Sequence, residues 1–320
     1  MAVTYILFVL GFILLVYGAN WLVDGAASIA RRYQISHVVI GLTIVALGTS
    51  APELVVNLIA SYQGTADVAL GNILGSNISN IFLILGISAL VFPLAVNRNT
   101  LWKEIPFALG GAVLFGLLAN NLIFASWSDP RIARVDGLVL ILFFLLFMVY
   151  TFSIARIKGR SIHAEYQVKE YPVMLSMLMI AGGMITLVLG GRWIVSGAVS
   201  IAAGLGMSEA VISLTIVAIG TSLPELATCV AAAMKRNADI VIGNILGSNI
   251  FNIFFVMGTS ALVRPLAFNQ VMNFDVLVGV FSVLLLWIFL VISRRNTLTR
   301  WQGGLFLVLY VAYIVFLITG

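Results

Sequence analysis

Long apolar stretches, each followed by a short polar or charged break, run through the whole chain. A membrane-crossing helix needs about 20 mostly apolar residues, and ten stretches are close to or above that length. Because a membrane-spanning backbone must satisfy its hydrogen bonds internally, we predict an all-α integral membrane protein with ten transmembrane helices. The predicted spans are 2–30, 36–61, 67–92, 101–124, 135–156, 171–203, 208–233, 240–263, 274–292 and 301–319.

The longest polar break, at 156–170, divides the chain almost in half. We interpret residues 158–170 as a short cytoplasmic linker, not as a domain. Loops on the cytoplasmic side of a membrane carry an excess of Lys and Arg. If the N-terminus lies outside, 13 Lys and Arg residues fall in inner loops, and only Arg131, Arg134 and Arg264 fall in outer loops. We therefore expect a multi-pass protein of the cell membrane with both termini outside.

Composition narrows the possible classes of protein. Hydrophobic residues make up 62% of the 320 residues, charged residues only 9%, and the mean hydropathy is +1.13. Soluble domains typically contain about 25% charged residues, so a single soluble domain is excluded and the lipid bilayer is the expected surrounding. The net charge of +5 does not indicate a nucleic-acid partner, because the basic residues are spread over short loops. The one cysteine, Cys229, and the histidines His37 and His163 indicate neither a disulfide nor a zinc site, so we expect no cofactor and a buried Cys229.

The two halves of the chain repeat each other. The sequence at 36–94 matches that at 208–266 without a gap, with 35 identical residues in 59 positions that include Pro, Glu, Asn and Ser. We therefore predict a five-helix repeat at 1–157 and a second at 171–320. Five spans separate each element from its copy, and since five is odd, the copies must cross the membrane in opposite directions. Inverted repeats are typical of secondary transporters, whose substrate sites lie near the middle of the membrane.

Two glutamates occupy equivalent positions in the two repeats. Glu53 and Glu225 lie well inside predicted spans, 172 positions apart. A charged side chain at the centre of a span costs about 2.5–3.5 kcal/mol on insertion scales, so it marks a functional site by default. Inverted symmetry places both carboxylates about a common centre, where they repel unless cations or protons neutralise them. The alternative is that both are protonated and hydrogen-bonded inside the bundle, which repeats the desolvation cost without a gain.

Each glutamate directly follows a proline that interrupts its helix. Pro52 lacks an N–H and clashes with the Gly48 carbonyl, so we expect the helix to open there, and Pro224 repeats the pattern. Carbonyls freed by such an opening become cation ligands if they face a polar cavity. The expected examples are the carbonyls of Ala46 and Ala218.

Hydroxyl and amide side chains accompany the glutamates on the same or the next span. Residues four apart lie on one face of a helix, and this spacing recurs in both repeats. Carboxylate, hydroxyl, amide and carbonyl oxygens together match hard cations such as Ca²⁺, which takes six to eight oxygen ligands. For the hydroxyls and amides, hydrogen bonding between helices is the alternative. The residues with this spacing are Thr49, Ser76 and Asn80 in the first repeat and Thr221, Ser248 and Asn252 in the second.

Other conspicuous residues of the spans have structural interpretations. Asp24 and Arg192 could pair with each other or extend toward the membrane surface, with a role in transport as the alternative, and Asp275 is expected to be solvated. Small residues four apart allow helices to pack closely, which we expect of Gly71 with Gly75 and of Gly243 with Gly247. Helix packing or backbone support is favoured over ion binding for Asn72, Asn77, Asn244 and Asn249.

The paired motifs resemble a known family. G-T-S-x-P-E at 48–53 and 220–225, with G-S-N-I-x-N-I-F at 75–82 and 247–254, closely resembles the two alpha repeats of the sodium/calcium exchangers of the calcium/cation antiporter superfamily. The resemblance covers the whole ten-span plan. It implies that the first and sixth spans slide as a gate bundle against the rest, and both predicted spans are indeed longer than a crossing needs.

The resemblance also implies a role for each motif residue. Glu53 and Glu225 would be ligands shared by calcium and sodium, with carbonyl oxygens of Thr49 and Thr221 at the same centre. The side chains of Asn80 and Asn252 would line the middle position. The flanking sodium sites would consist of Ser50, Ser76, Ser222 and Ser248 with the carbonyls of Ala46 and Ala218.

We predict an antiporter that exchanges Na⁺ for Ca²⁺ by alternating access, acts as a monomer and has no enzymatic activity. Some relatives, including the potassium-dependent exchangers, have Asp at the position of Asn252, so we expect no potassium requirement. The alternative is a calcium or other cation/proton antiporter of the same superfamily. An intramembrane enzyme is disfavoured because no motif within a span contains His, while a passive channel stays open as a further alternative.

Overall fold

The described part of the protein is almost entirely helical. Eight helices are long and apolar enough to cross a membrane, and there are up to nine if the bent pair His37–Thr49 and Ala51–Gln63 is one span. The predicted span 208–233 falls partly outside the described residues, so ten spans stay a prediction. The computed structural model describes residues 2–123, 130–155, 169–204, 218–293 and 295–319.

The helices follow one another with short connections. Within the described residues, turns of π-helix occur at Gly41–Val45, Asn80–Ile84, Thr100–Glu104 and Phe251–Val256. In chain order the helices are α1 (Ala2–Arg32), α2 (His37–Thr49), α3 (Ala51–Gln63), α4 (Ala66–Val91), α5 (Thr100–Ala119), α6 (Arg134–Ala155), α7 (Val173–Gly204), α8 (Ala218–Thr221), α9 (Leu223–Met234), α10 (Ala238–Val263), α11 (Gln270–Ile292) and α12 (Arg300–Thr319).

Helices α4 and α10 form the centre of the molecule. Of their most apolar stretches, 78% and 94% of the residues are buried, against 22–44% in the other long helices. A Cβ added at Gly247 would lie 2.7 Å from the Leu42 carbonyl oxygen, and one at Gly243 would lie 2.5 Å from that of Val38. The predicted close packing is therefore confirmed for this pair, which brings the motif of α10 directly against α2.

The equivalent glycines of the first repeat differ. Among the described atoms, none lies within 4 Å of a Cβ added at Gly71 or Gly75. The segment equivalent to the one that covers Gly243 and Gly247 would fall at 209–217, outside the described residues. Close packing is thus not found for this pair in the described part of the chain.

The long helices α1 and α7 cross through glycines. A Cβ added at Gly11 would lie 2.9 Å from the Gly190 carbonyl oxygen, and one at Gly18 would lie 2.9 Å from that of Gly183. Helix backbones can approach this closely only where side chains are missing. The order of the contacts shows that the two helices run antiparallel.

In the described part of the chain, four two-residue strands join the first half to the second. β1 (Leu94–Ala95) pairs with β4 (Thr297–Leu298), and β2 (Arg131–Ile132) pairs with β3 (Leu266–Ala267). Both pairs are antiparallel. Each therefore fastens a loop of one half to a loop of the other.

Candidate cation site

The two glutamates lie just beyond matching breaks in their helices. Between α2 and α3, Ser50 leaves the helical conformation with φ −85° and ψ 8°, and the helix axis bends by 48°. Between α8 and α9, Ser222 has φ −86° and ψ 4°. Pro52 and Pro224 lie in the first turns of α3 and α9, where the missing N–H has no helical acceptor to lose. The break is thus at the serine, and the prediction of an opening around Gly48 was two residues too early.

Both glutamates are buried in the first turn of a new helix. Glu53 and Glu225 are each 1% exposed. The N-terminus of a helix carries partial positive charge, which stabilises a nearby carboxylate. The proline-induced break therefore creates a favourable position for a negative charge inside the bundle.

The carboxyl groups lie near each other, one from each half of the chain. The Ser50 hydroxyl donates a hydrogen bond of 3.0 Å to Oε1 of Glu225, although the two residues are 175 positions apart. Glu53 interacts electrostatically with Glu225, and Ser76 lies beside Glu53. The structure thus brings Glu53, Glu225, Ser50 and Ser76 together.

Most of the predicted ligand side chains hold a buried oxygen that has no hydrogen-bond partner within the described part of the chain. Leaving such a group unpaired costs about 1–3 kcal/mol, and more when it is charged. Seven such oxygens lie in or next to the paired motifs, and together they could coordinate a hard cation, which binds oxygen ligands. The oxygens are Oε2 of Glu53 and Glu225, Oδ1 of Asn80 and Asn252, and Oγ of Ser76, Ser222 and Ser248.

Four asparagines link α4 to α10 beside these oxygens. Nδ2 of Asn80 donates to Oδ1 of Asn249 over 2.9 Å, and Nδ2 of Asn252 donates to Oδ1 of Asn77 over 3.1 Å. Nδ2 of Asn77 and Asn249 each point at the other's backbone carbonyl, at 3.4 and 3.3 Å. The predicted packing role of Asn77 and Asn249 is therefore found, at the very edge of the site.

A second chain of hydrogen bonds runs behind Thr49. Its hydroxyl donates to Oδ1 of Asn244 over 3.2 Å, and the Asn244 amide donates to Sγ of Cys229 over 3.2 Å. The fully buried Cys229 confirms the expectation of a small interior residue. The Ala46 carbonyl accepts the Ser50 N–H over 3.0 Å, so the break does not free it, which corrects the sequence interpretation. The Thr49 hydroxyl also lies 3.4 Å from this oxygen.

The remaining predicted ligands are Thr221 and Ala218. Thr221 is half-buried at the end of α8, and Ala218 begins that helix. Among the described residues, no group of three or more His, Cys, Asp and Glu side chains is arranged to hold a metal. A cation at this position would therefore depend on two carboxylates supplemented by neutral oxygens.

A cavity of about 350 Å³ lies next to the site, between α7 and the helix breaks. It reaches Pro52 and Pro224, and Arg192 and Ser196 of α7 form part of its wall. The volume is enough for several water molecules. The cavity therefore brings open space up to both proline motifs on this side of the bundle.

Two ionisable residues, Asp24 and Asp275, differ from their sequence interpretation. Asp24 pairs with Lys235 at 2.7 Å and not with Arg192. Asp275 is half-buried and accepts a hydrogen bond of 2.7 Å from Tyr313, so it is not fully solvated.

Within the described residues, sequence reasoning also missed two buried carboxyl groups, those of Glu104 and Asp136. Glu104, 1% exposed, accepts a hydrogen bond from Tyr150 in the neighbouring helix α6. Glu104 lies in the first turn of the predicted span 101–124. The apolar residues around Glu104 give no signal of its tyrosine partner, which lies 46 positions away.

Comparison with known proteins follows the same lines. The family model for sodium/calcium exchanger proteins matches residues 3–153 and 175–319. The chain is 31% identical to the sodium/calcium exchanger MaX1 of Methanosarcina acetivorans, over 98% of each protein. It is 40% identical to the putative antiporter CaxA of Alkalimonas amylolytica, over 83% of this chain and 82% of that protein.

Solved structures of the sodium-calcium exchanger NCX_Mj have the same fold. In one of them, soaked with Na⁺ and Sr²⁺, the TM-score is 0.84 at 34% identity, and the alignment covers 98% of both chains. The matches in family model, sequence and structure agree with the resemblance carried by the paired motifs. The chain belongs to the sodium/calcium exchanger family.

Proposed function

We propose that this membrane antiporter exchanges Na⁺ for Ca²⁺ by alternating access, with Glu53 and Glu225 as ligands shared by both ions. The observation that carries the proposal is the pair of buried carboxylates from opposite halves of the chain, each with an oxygen that lacks a partner among the described residues. One Ca²⁺ or several monovalent ions can neutralise the pair. Because unneutralised carboxylates are expensive to bury, occupancy by either kind of ion would be a condition for reorientation.

The other predicted ligands would complete the coordination. Side-chain oxygens of Asn80 and Asn252 would line the middle position, and backbone carbonyls of Thr49 and Thr221 would lie beside the glutamates. Their support is the inventory of neutral oxygens in the two motifs, which suits hard cations. Flanking sodium sites would use Ser50, Ser76, Ser222 and Ser248 with the carbonyls of Ala46 and Ala218.

We further propose two inverted repeats, at 1–157 and 171–320, joined by a cytoplasmic linker at 158–170. Support comes from contacts that occur in reciprocal pairs under the sequence offset of 172. Gly11 meets Gly190 as Gly18 meets Gly183, and the asparagine contacts between α4 and α10 are exchanged in the same way. A pseudo-two-fold axis in the membrane plane would produce such pairs.

Alternating access is supported by an asymmetry between equivalent helices. α1 packs against α9, and the Asp24–Lys235 ion pair joins them. Their equivalents, α7 and α3, line opposite sides of the cavity near Arg192. One helix pair is thus packed closed while its equivalent is open. In alternating access the two repeats would exchange these two arrangements. With both termini outside, the open side faces the exterior and the ion pair closes the cytoplasmic side.

Both halves of the site come from one chain, so we propose that a monomer suffices for transport. We also propose independence from potassium, because Asn252 stands where potassium-dependent relatives have Asp. With a neutral amide at Asn252, the site has two carboxylates, whose charge one Ca²⁺ already balances. A potassium ion bound together with Ca²⁺ would lack a third carboxylate to balance its charge.

The test is radioactive calcium uptake into proteoliposomes. A sodium gradient alone, in potassium-free buffer, should drive uptake, and a pH gradient alone should not. Uptake driven only by the pH gradient would identify the cation/proton antiporter instead. Flux down the calcium gradient without counter-ion would identify a channel, and a potassium requirement would remove the potassium-independent mechanism.

A further inference from the structure

Two asparagines outside the predicted ligand set have amide orientations that the backbone determines. Nδ2 of Asn249 donates to the backbone carbonyl of Asn77 over 3.3 Å, and Nδ2 of Asn77 donates to that of Asn249 over 3.4 Å. A carbonyl oxygen only accepts hydrogen bonds. Each of these amides must therefore turn its NH₂ group toward the backbone, which leaves its Oδ1 for another donor.

That donor is the amide of the neighbouring ligand in the other repeat. Oδ1 of Asn249 accepts from Nδ2 of Asn80 over 2.9 Å, and Oδ1 of Asn77 accepts from Nδ2 of Asn252 over 3.1 Å. If the Asn80 amide were reversed, two oxygens would face each other, and Asn249 could not reverse to compensate. The orientation is thus passed from a backbone carbonyl through one side chain to the next.

Each of these two series of hydrogen bonds ends at a side-chain oxygen without a hydrogen-bond partner among the described residues. Oδ1 of Asn80 and Oδ1 of Asn252 are buried, and both residues are 1% exposed. An amide has one oxygen that attracts a cation and one NH₂ group that repels it. Which of the two faces the ion is therefore decided by residues that do not bind the ion.

We propose that Asn77 and Asn249 are positioning residues that hold the side-chain oxygens of Asn252 and Asn80 in the cation path, a role that rests on the proposed exchange function. Each acts on a ligand of the opposite repeat. The two halves of the site are thereby oriented by each other, and loss of one positioning residue should impair one amide ligand. Loss of such an outer partner typically lowers metal affinity by about 10–100-fold.

The test uses Asn249→Leu, which keeps the approximate shape of the side chain but removes its donor and acceptor. Equilibrium binding of radioactive Ca²⁺ to the purified, folded protein should become about tenfold weaker or more. A merely structural role is separated by repeating the substitution in a protein that also carries Asn80→Asp. A carboxylate has two equivalent oxygens and needs no orientation, so Asn249→Leu should there have little effect or improve binding.

An equal loss of affinity with and without Asn80→Asp would overturn the positioning role, because the two effects would then be additive. Asn77→Leu, tested with and without Asn252→Asp, provides the same measurement on the other repeat if the first variant does not fold. Glu225→Gln separates the two proposals. If it removes Ca²⁺ binding while Asn249→Leu leaves binding unchanged, exchange stands and the positioning role is refuted, whereas absence of binding in the wild type refutes exchange itself.

Discussion

Replacing Glu225 by Gln isolates the charge of one buried carboxylate from its geometry. Glutamine keeps an oxygen that can accept the 3.0 Å hydrogen bond from Ser50, so this contact between the two halves survives. What disappears is a full negative charge on a residue that is 1% exposed. The substitution therefore tests whether the site depends on charge rather than on packing.

The expected size of the effect follows from Coulomb's law. At an effective dielectric constant of about 20, a carboxylate about 2.4 Å from a divalent cation attracts it by roughly 14 kcal/mol. Desolvation of both charges offsets most of this energy. Even if only about a tenth remains, the 1.4 kcal/mol is a factor of ~10 in affinity. Because Na⁺ carries half the charge, its affinity should fall by about half as much on a logarithmic scale.

The assay is calcium uptake under a sodium gradient together with equilibrium binding of both ions. Glu104→Gln is the matched control, since Glu104 is equally buried, also accepts a hydrogen bond from a side chain, and lies outside the motifs. Glu225→Gln and Glu53→Gln should abolish or severely reduce exchange, while Glu104→Gln retains it. Wild-type flux in both motif variants, or a larger loss for Na⁺ than for Ca²⁺, would refute the electrostatic reasoning.

Three further expectations concern packing, gating and reactivity. Gly247→Ala would place a methyl group 2.7 Å from the Leu42 carbonyl oxygen, so the free energy of unfolding should fall by about 1–3 kcal/mol. Gly304→Ala is the control, because no described atom lies within 4 Å of its added Cβ. Equal unfolding temperatures of the two variants would contradict the close packing at Gly247. Lys235→Gln breaks the partly exposed ion pair with Asp24 and should shift the open-to-closed equilibrium by about 0.2–1 kcal/mol. Hydrogen exchange in α1 measures this shift, and an exchange pattern identical to that of the wild type would show that the ion pair does not hold α1 against α9. Cys229 is 0% exposed, so a maleimide should not label the folded protein, and rapid labelling would show that this interior opens.

The sequence predicted the pair of glutamates at the site better than it predicted the contacts around the site. The repeat offset of 172 makes Glu53 and Glu225 equivalent, and the odd number of spans between the two copies places them about a common centre. Their pairing could therefore be predicted from the sequence. Contacts between side chains of distant helices have no such pattern. The pairing of Asp24 with Lys235 depends on how α1 leans on α9, which no local spacing encodes.

The helix break illustrates a limit of a different kind. A proline predicts that a helix is interrupted nearby, but its lost hydrogen bond can be accommodated on either side. Here the new helix begins at Ala51, so that Pro52 lies in the first turn, and Ser50 takes the non-helical conformation. The consequence is chemical as well as geometric, because the Ala46 carbonyl stays hydrogen-bonded while the Ser50 hydroxyl reaches Glu225.

The short strands have a consequence for synthesis of the protein. β1 finds its partner β4 only about 200 residues later, since Leu94 pairs with Leu298. At about 5–20 residues per second, the ribosome needs roughly 10–40 s to deliver that partner. During this interval the first half is in the membrane with its loop unpaired and half of its site missing. The order of assembly is thereby fixed: the strand pair that joins the two halves can form only after the last loops of the chain have reached the membrane.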